Sequence, residues 1–139
     1  MENDKLTEDE VILLLIDWLK RKDWFITDYC LGHTRGIDIT AKKNSNVLHI
    51  EAKGARASSS SPIRKRIKFD SGQIKDHLGK AIVKSIETQI KHPDSIVAIA
   101  HPMDTDLFNI CDPVFNKLEK LKIYKFWVDK EKIFTNLYI

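Results

Sequence analysis

The 139-residue chain reads as a single α/β domain, a mixed sheet flanked by helices, on three observations. Residues 36–41 and 49–54 alternate apolar and polar side chains on either side of the turn formers Asn44-Ser45-Asn46, which describes an antiparallel hairpin. Ser95-Ile96-Val97-Ala98-Ile99-Ala100 is a nearly continuous apolar run, the pattern of a strand covered on both faces. Stretches of helical periodicity stand before and after these strands. A chain of this length buries one core and is too short for two domains.

In order along the chain, Thr7 and Glu10 form a capping box that opens a first helix. Its predicted buried stripe is Val11, Leu14, Leu15, Trp18 and Leu19, and the helix runs to about Lys22. Residues 24–30 are apolar and aromatic enough for a first strand, ahead of the hairpin. After Lys53 the composition changes sharply. Gly54 ends the strand, and Ser58-Ser59-Ser60-Ser61-Pro62 leads into a basic cluster, so residues 55–69 are expected to form a flexible basic loop. A long helix follows over residues 71–91, with Ile74, Leu78, Ala81, Ile82, Ser85 and Ile86 on its buried side, and His92-Pro93-Asp94 stops it. A third helix is predicted from Asp112-Pro113 to Leu121, with Pro113 in its first turn and Val114, Leu118 and Leu121 facing inward. Residues 123–128 and 133–139 read as closing strands, whose Phe126, Trp127, Phe134 and Tyr138 complete the core or supply a dimer surface, core being the simpler reading. The predicted order is α-β-β-β-α-β with a C-terminal α-β-β extension.

Composition bounds the function class. With 42% hydrophobic and 31% charged residues the chain is ordinary for a soluble protein. No apolar run is long enough to span a membrane, and the acidic start Met1-Glu2-Asn3-Asp4 is unlike a signal peptide, so a cytoplasmic location is expected. Cys30 and Cys111 are too few and too scattered for a zinc site or a disulfide framework, and are read as reduced thiols. The net charge of +3 is mild, but Arg56, Arg64, Lys65, Arg66 and Lys68 fall together in residues 55–69 with no acid among them.

The hairpin carries the chemistry. An even loop centred on Asn44-Ser45 sets Asp38 across from Glu51 and Thr40 across from His49; a three-residue turn would instead set Asp38 opposite Ala52. Facing carboxylates repel unless a cation or proton lies between them. Lys53 shares the face of Glu51, one pleat further along. Carboxylate oxygens with room for water suit Mg2+ or Mn2+, which can deliver a water to a phosphodiester and neutralise developing charge. The plain alternative is a polar hairpin face whose Asp, Glu and Lys are merely solvated. His49 beside Glu51 is either a supporting group or an ordinary strand histidine.

Gly36-Ile37-Asp38, followed at twelve residues' remove by Glu51-Ala52-Lys53-Gly54, resembles the core motif of the PD-(D/E)XK nuclease superfamily. Ile37 stands where the motif name has Pro. The resemblance covers roughly residues 7–101 and implies a restriction-endonuclease-like core and a Mg2+-dependent (or Mn2+-dependent) DNA endonuclease with no organic cofactor. It implies metal ligation by Asp38, Glu51 and the backbone carbonyl of Ala52, with Lys53 assisting catalysis. Many superfamily members place a first-helix Glu near the metal, which would be Glu10; its capping role is the alternative. Gln73 and His77, four apart on the second helix, look like a variant of the Gln and Tyr of the RecB-like branch, with His in place of Tyr. The resemblance therefore implies that Gln73 lines the site and His77 lies beside the nucleic acid. Arg56, Arg64, Lys65, Arg66 and Lys68, joined by Arg35, lie where a DNA backbone would pass. Small single-domain members commonly act as homodimers, so the resemblance allows one. Two other readings stay open: a non-catalytic DNA- or partner-binding domain of the same fold, and a Holliday-junction resolvase.

Overall fold

The hydroxyl of Thr7 accepts from the Glu10 backbone N–H, and the Glu10 carboxylate accepts from the Thr7 N–H at 2.8 Å, so the first helix starts on the capping box its sequence encodes. The structure, a computed structural model, describes residues 5–32, 35–56 and 69–139. Helix α1 (Glu8–Arg21) is followed by strands β1 (Phe25–Tyr29), β2 (Ile39–Lys43) and β3 (Asn46–Ala52), helix α2 (Ser71–Lys91), strand β4 (Ile96–Pro102), helix α3 (Thr105–Leu118), a short 3-10 turn at Glu119–Leu121, and strands β5 (Ile123–Val128) and β6 (Ile133–Thr135).

The six strands form one mixed sheet in sequential order. β1, β2 and β3 pair antiparallel; β4 lies parallel to β3 and β5 parallel to β4, each reached over a helix; β6 returns antiparallel on β5. The turn between β2 and β3 has two residues, and Asn44 takes its left-handed position at φ 55°, which asparagine tolerates. An even turn fixes the register Ile39↔Ile50 and Thr40↔His49.

Helices cover both faces. On one, α1 packs Val11, Ile12, Leu15, Ile16 and Leu19 against Ile39, Leu48, Ile50, Ala98, Phe126 and Val128. On the other, Ile74, Leu78 and Ala81 of α2 and Leu107, Cys111, Phe115 and Leu118 of α3 pack on Ile99, Ile123 and Trp127. Each such large side chain contributes about 1.5–3 kcal/mol by leaving water. β4, central and covered twice, is buried at every position from Val97 to Pro102. Among the described residues no helix is long and apolar enough to cross a membrane.

Several expectations shift. In α1 the fully buried stripe includes Ile12 and Ile16, while Leu14 and Trp18 pack from its edge. In α2, Ile82 is only partly buried and Ile86 is exposed, because the helix lies on the sheet along Ile74, Leu78, Ala81 and Ser85. Helix α3 begins at Thr105, capped by Asp104 on the Leu107 N–H, so Pro113 is interior rather than in the first turn. Pro113 removes one intrahelical donor, yet the stripe Leu107, Cys111, Phe115 and Leu118 buries enough surface to carry the helix through it. Val114 is partly buried and Leu121 is exposed. The last strand stops at Thr135, since the Asn136 side chain accepts from the Lys125 N–H at 2.9 Å and the Thr135 hydroxyl from the Leu137 N–H at 3.0 Å. Phe126 and Trp127 are core residues; Phe134 and Tyr138 are exposed. Both cysteines are free, and burial pushes the Cys111 thiol up to about 11, which makes it an inert core group.

The end of β3 is held against the start of α1 by a close backbone approach. Lys53 donates its N–H to the Ala100 carbonyl at 2.9 Å, and Ala55 donates to the Leu6 carbonyl at 2.8 Å. Gly54 lies between them, and a Cβ there would stand 2.5 Å from the Glu8 nitrogen and 2.8 Å from the Thr7 carbonyl carbon. Gly54→Ala is therefore expected to destabilise the fold by about 1–3 kcal/mol in urea unfolding; wild-type stability in this variant would mean the contact is not tight.

Candidate functional site

The register that pairs Thr40 with His49 brings Asp38, one residue before β2, opposite Glu51 of β3. Both point away from the α1 core, on the face that α2 covers, and both are buried, at 7% and 8% exposure. Two buried carboxylates on neighbouring strands cannot both stay charged without compensation. One oxygen of Asp38, Oδ2, accepts the backbone N–H of Ala52 at 2.8 Å. Among the described residues two ammonium groups reach Glu51: Lys53 Nζ lies 3.6 Å from Oε2 and Lys84 Nζ 3.1 Å from Oε1. Oε1 is sealed from solvent, and despite that ion pair it receives no well-directed hydrogen bond.

A third carboxylate comes from α1. The crossing of Gly54 over the first turn turns Glu8 toward Asp38 and Lys53, and burial, then the Asp38 charge, raise its pKa to about 7. Asp38 is likewise raised to about 7, first by burial, then by the Glu51 charge, and further by a proton shared with Glu51; the Ala52 N–H opposes the rise. Burial disfavours charge on Lys84, but Glu51 outweighs it and the ammonium titrates above its ordinary range. Acids driven to neutrality beside a sealed oxygen are what a cation would relieve, so the donor set fits a hard divalent ion. The fit depends on water or backbone oxygen as well, because no three Asp, Glu, His or Cys side chains among the described residues are grouped to hold a metal by themselves.

No family model matches the chain, and no curated protein matches its sequence. Two solved structures do match in three dimensions. An XisH family protein from Nostoc punctiforme superposes with a TM-score of 0.58 at 18% identity, over 89% of this chain and 95% of its own. An fdxN element excision controlling factor protein from Anabaena variabilis gives 0.56 at 22% identity, over 91% and 95%. The fold is XisH-like.

Within this XisH-like fold the other sequence-proposed residues separate. Glu10 spends its carboxylate on the Thr7 N–H and on Arg56 Nη2 at 3.6 Å; the first-helix acid that faces Asp38 is Glu8. Arg56 also donates from Nε to the Lys5 carbonyl at 2.7 Å, so this arginine braces the start of α1. Gln73 is the third residue of α2, where it closes a capping box with Asp70, accepting from the Asp70 N–H at 3.0 Å. His77, one turn on, packs edge-on against Phe69 at 4.5 Å; burial, then nearby Lys53, lowers its pKa. Arg35 is exposed, just before Gly36. Arg64, Lys65, Arg66 and Lys68, with most of the proposed 55–69 loop, lie outside the described residues. His49 shares a hydrogen bond with Thr40 through Nδ1 at 3.2 Å and packs against His92 at 4.9 Å.

Glu8 and Lys84 are the residues the sequence reading missed. Glu8 stood inside the acidic first turn Glu8-Asp9-Glu10, where local capping favoured attention to Glu10. The signal for Lys84 was its neighbour Ser85, a polar residue buried on the sheet side of α2.

The raised acids predict a pH dependence with a definite sign. Asp38 keeps in the folded state a proton that the unfolded chain loses from pH 4 upward, so its burial costs stability increasingly as pH rises from about 4 to 7. Asp38→Asn removes that cost. In EDTA, the variant is expected to gain on wild type across this window, by roughly 2–4 kcal/mol at neutral pH, read as the difference in thermal or urea midpoints; a difference independent of pH would contradict it.

Proposed function

We propose that this chain is a Mg2+- or Mn2+-dependent DNA endonuclease of restriction-endonuclease-like fold. The observation that carries the reading is the buried apposition of Asp38 and Glu51 with Lys53 beside them. Asp38 and Glu51 bind the divalent ion, with the Ala52 carbonyl as a further ligand by resemblance to the PD-(D/E)XK motif. When bound, such an ion supplies Lewis acidity at the phosphate and an acidified water. Glu8 lies within electrostatic reach of Asp38, where its pKa near neutrality suits it to take up or release a proton at the same cluster. Lys53, a compact charge on the strand that carries Glu51, stabilises the negative charge that grows on the phosphate oxygens. Arg35, Arg64, Lys65, Arg66 and Lys68 hold the nucleic-acid backbone, with His77 beside it. The structural neighbour named as an excision controlling factor of the fdxN element supports a role in DNA processing.

One observation favours a second reading. Glu51 already has two ammonium partners, and the described side chains alone do not complete a metal shell. A non-catalytic DNA- or partner-binding domain would need nothing more.

Incubation of the protein with linear, nicked, single-stranded and four-way-junction DNA in Mg2+ or Mn2+ separates the two. Cleavage is expected with wild type, lost in EDTA, and reduced at least about 100-fold by Glu51→Ala. Equal inertness of wild type and variant on every substrate would leave only the binding reading.

A further inference from the structure

The two ammonium groups at Glu51 are not equivalent. Lys53 leaves the end of the same strand, keeps only 18% of its side chain exposed, and sits 3.6 Å from the other oxygen, Oε2. Lys84 arrives from α2, one residue before the buried Ser85, and stands 3.1 Å from the sealed oxygen, Oε1. It also donates to the Gly36 carbonyl at 2.7 Å. Gly36 has φ 134°, a conformation only glycine adopts without strain, and it leads directly into Asp38. One side chain thus ties a helix, an acid on β3 and the backbone that delivers the acid opposite.

Charge and space distinguish the two lysines further. An ion bridging Asp38 and Glu51 must use an oxygen of Glu51, and the Lys84 ammonium stands where an ion on Oε1 would. With all three acids ionised, both lysines in place and a divalent ion added, Glu8, Asp38 and Glu51 would be over-neutralised; with one lysine gone, the charges balance. Lys84 is the one able to leave, since 40% of its side chain is exposed and its stem is flexible.

Resting on the reading of Asp38 and Glu51 as a cation-holding pair, we propose that Lys84 is a positioning residue and the site's internal counter-cation. It fixes the Gly36–Asp38 approach in the metal-free protein and yields Oε1 of Glu51 when a divalent cation binds. Metal binding is then an exchange of cations, and the carboxylates are never left bare.

Mn2+ binding, followed by the electron paramagnetic resonance of free Mn2+, and the melting temperature in EDTA together test the exchange in wild type, Lys84→Met and Lys84→Arg. Lys84→Met is expected to melt lower than wild type in EDTA and to bind Mn2+ about tenfold tighter, because the competing charge is gone. Lys84→Arg keeps a charge at the position and is expected to bind Mn2+ no tighter than wild type. Equal Mn2+ affinity of wild type and Lys84→Met, tighter binding by Lys84→Arg, or an unchanged melting temperature of Lys84→Met in EDTA would each overturn the exchange while leaving the cation-holding pair standing. Absence of Mn2+ binding in wild type and Lys84→Met alike would overturn the pair itself, and the exchange with it.

Discussion

Everything in this molecule's candidate site follows from the two carboxylates held opposite each other, Asp38 just before β2 and Glu51 on β3, beneath a helix and out of water. Such a pair is expensive to build. The loss of hydration, and after it repulsion between like charges, drives the acids toward neutrality, and Asp38 and Glu8 are pushed up to about 7 as a result. The surrounding structure offsets that cost piece by piece. The Ala52 N–H serves one oxygen of Asp38, Lys53 and Lys84 attend Glu51, and the Gly54 crossing brings α1 close enough to add Glu8. A sheet built only for stability would place apolar residues at these positions, as it does one residue away at Ile39 and Ile50.

Rigid scaffolding sets the geometry. β4 is buried at nearly every position and pairs with β3 through Glu51↔Ile99, so the strand that carries Glu51 cannot shift without moving the core. Asp38 lacks that support, being one residue outside β2. Its position depends on Gly36, on the hydrogen bond to Ala52 and on the grip of Lys84 on the Gly36 carbonyl. The Asp38 carbonyl also accepts from the Cys30 N–H at 3.0 Å, so one acid is fixed by its covered strand and the other by hydrogen bonds from three separate segments.

Much of this was legible in the sequence because the deciding signals were local. Asn44-Ser45 makes a two-residue turn, and that parity alone sets which residue faces Asp38. The capping box at Thr7 and Glu10 and the stop at His92 fix helix ends to within a residue. What escaped were contacts between distant segments. Glu8 reaches the site because Gly54, 46 positions later, lets β3 cross the helix start, which no helical period records. Lys84 reaches Glu51 from a helix whose apolar spacing identifies the buried face but not what its edge lysines meet. Helix α3 began earlier than its Pro113 suggested, because an apolar stripe outweighed one missing hydrogen bond. Glu10, the acid singled out by local pattern, is occupied by its cap and by Arg56.

Whether the facing acids hold a cation decides what this site is for, and a crystal soaked in Mn2+ and measured at the manganese absorption edge addresses that directly. The expected result is an anomalous peak within about 2.5 Å of carboxylate oxygens of both Asp38 and Glu51, absent from Glu51→Ala crystals treated alike. A fully soaked crystal with no peak between these side chains, or with manganese bound only elsewhere, would contradict it.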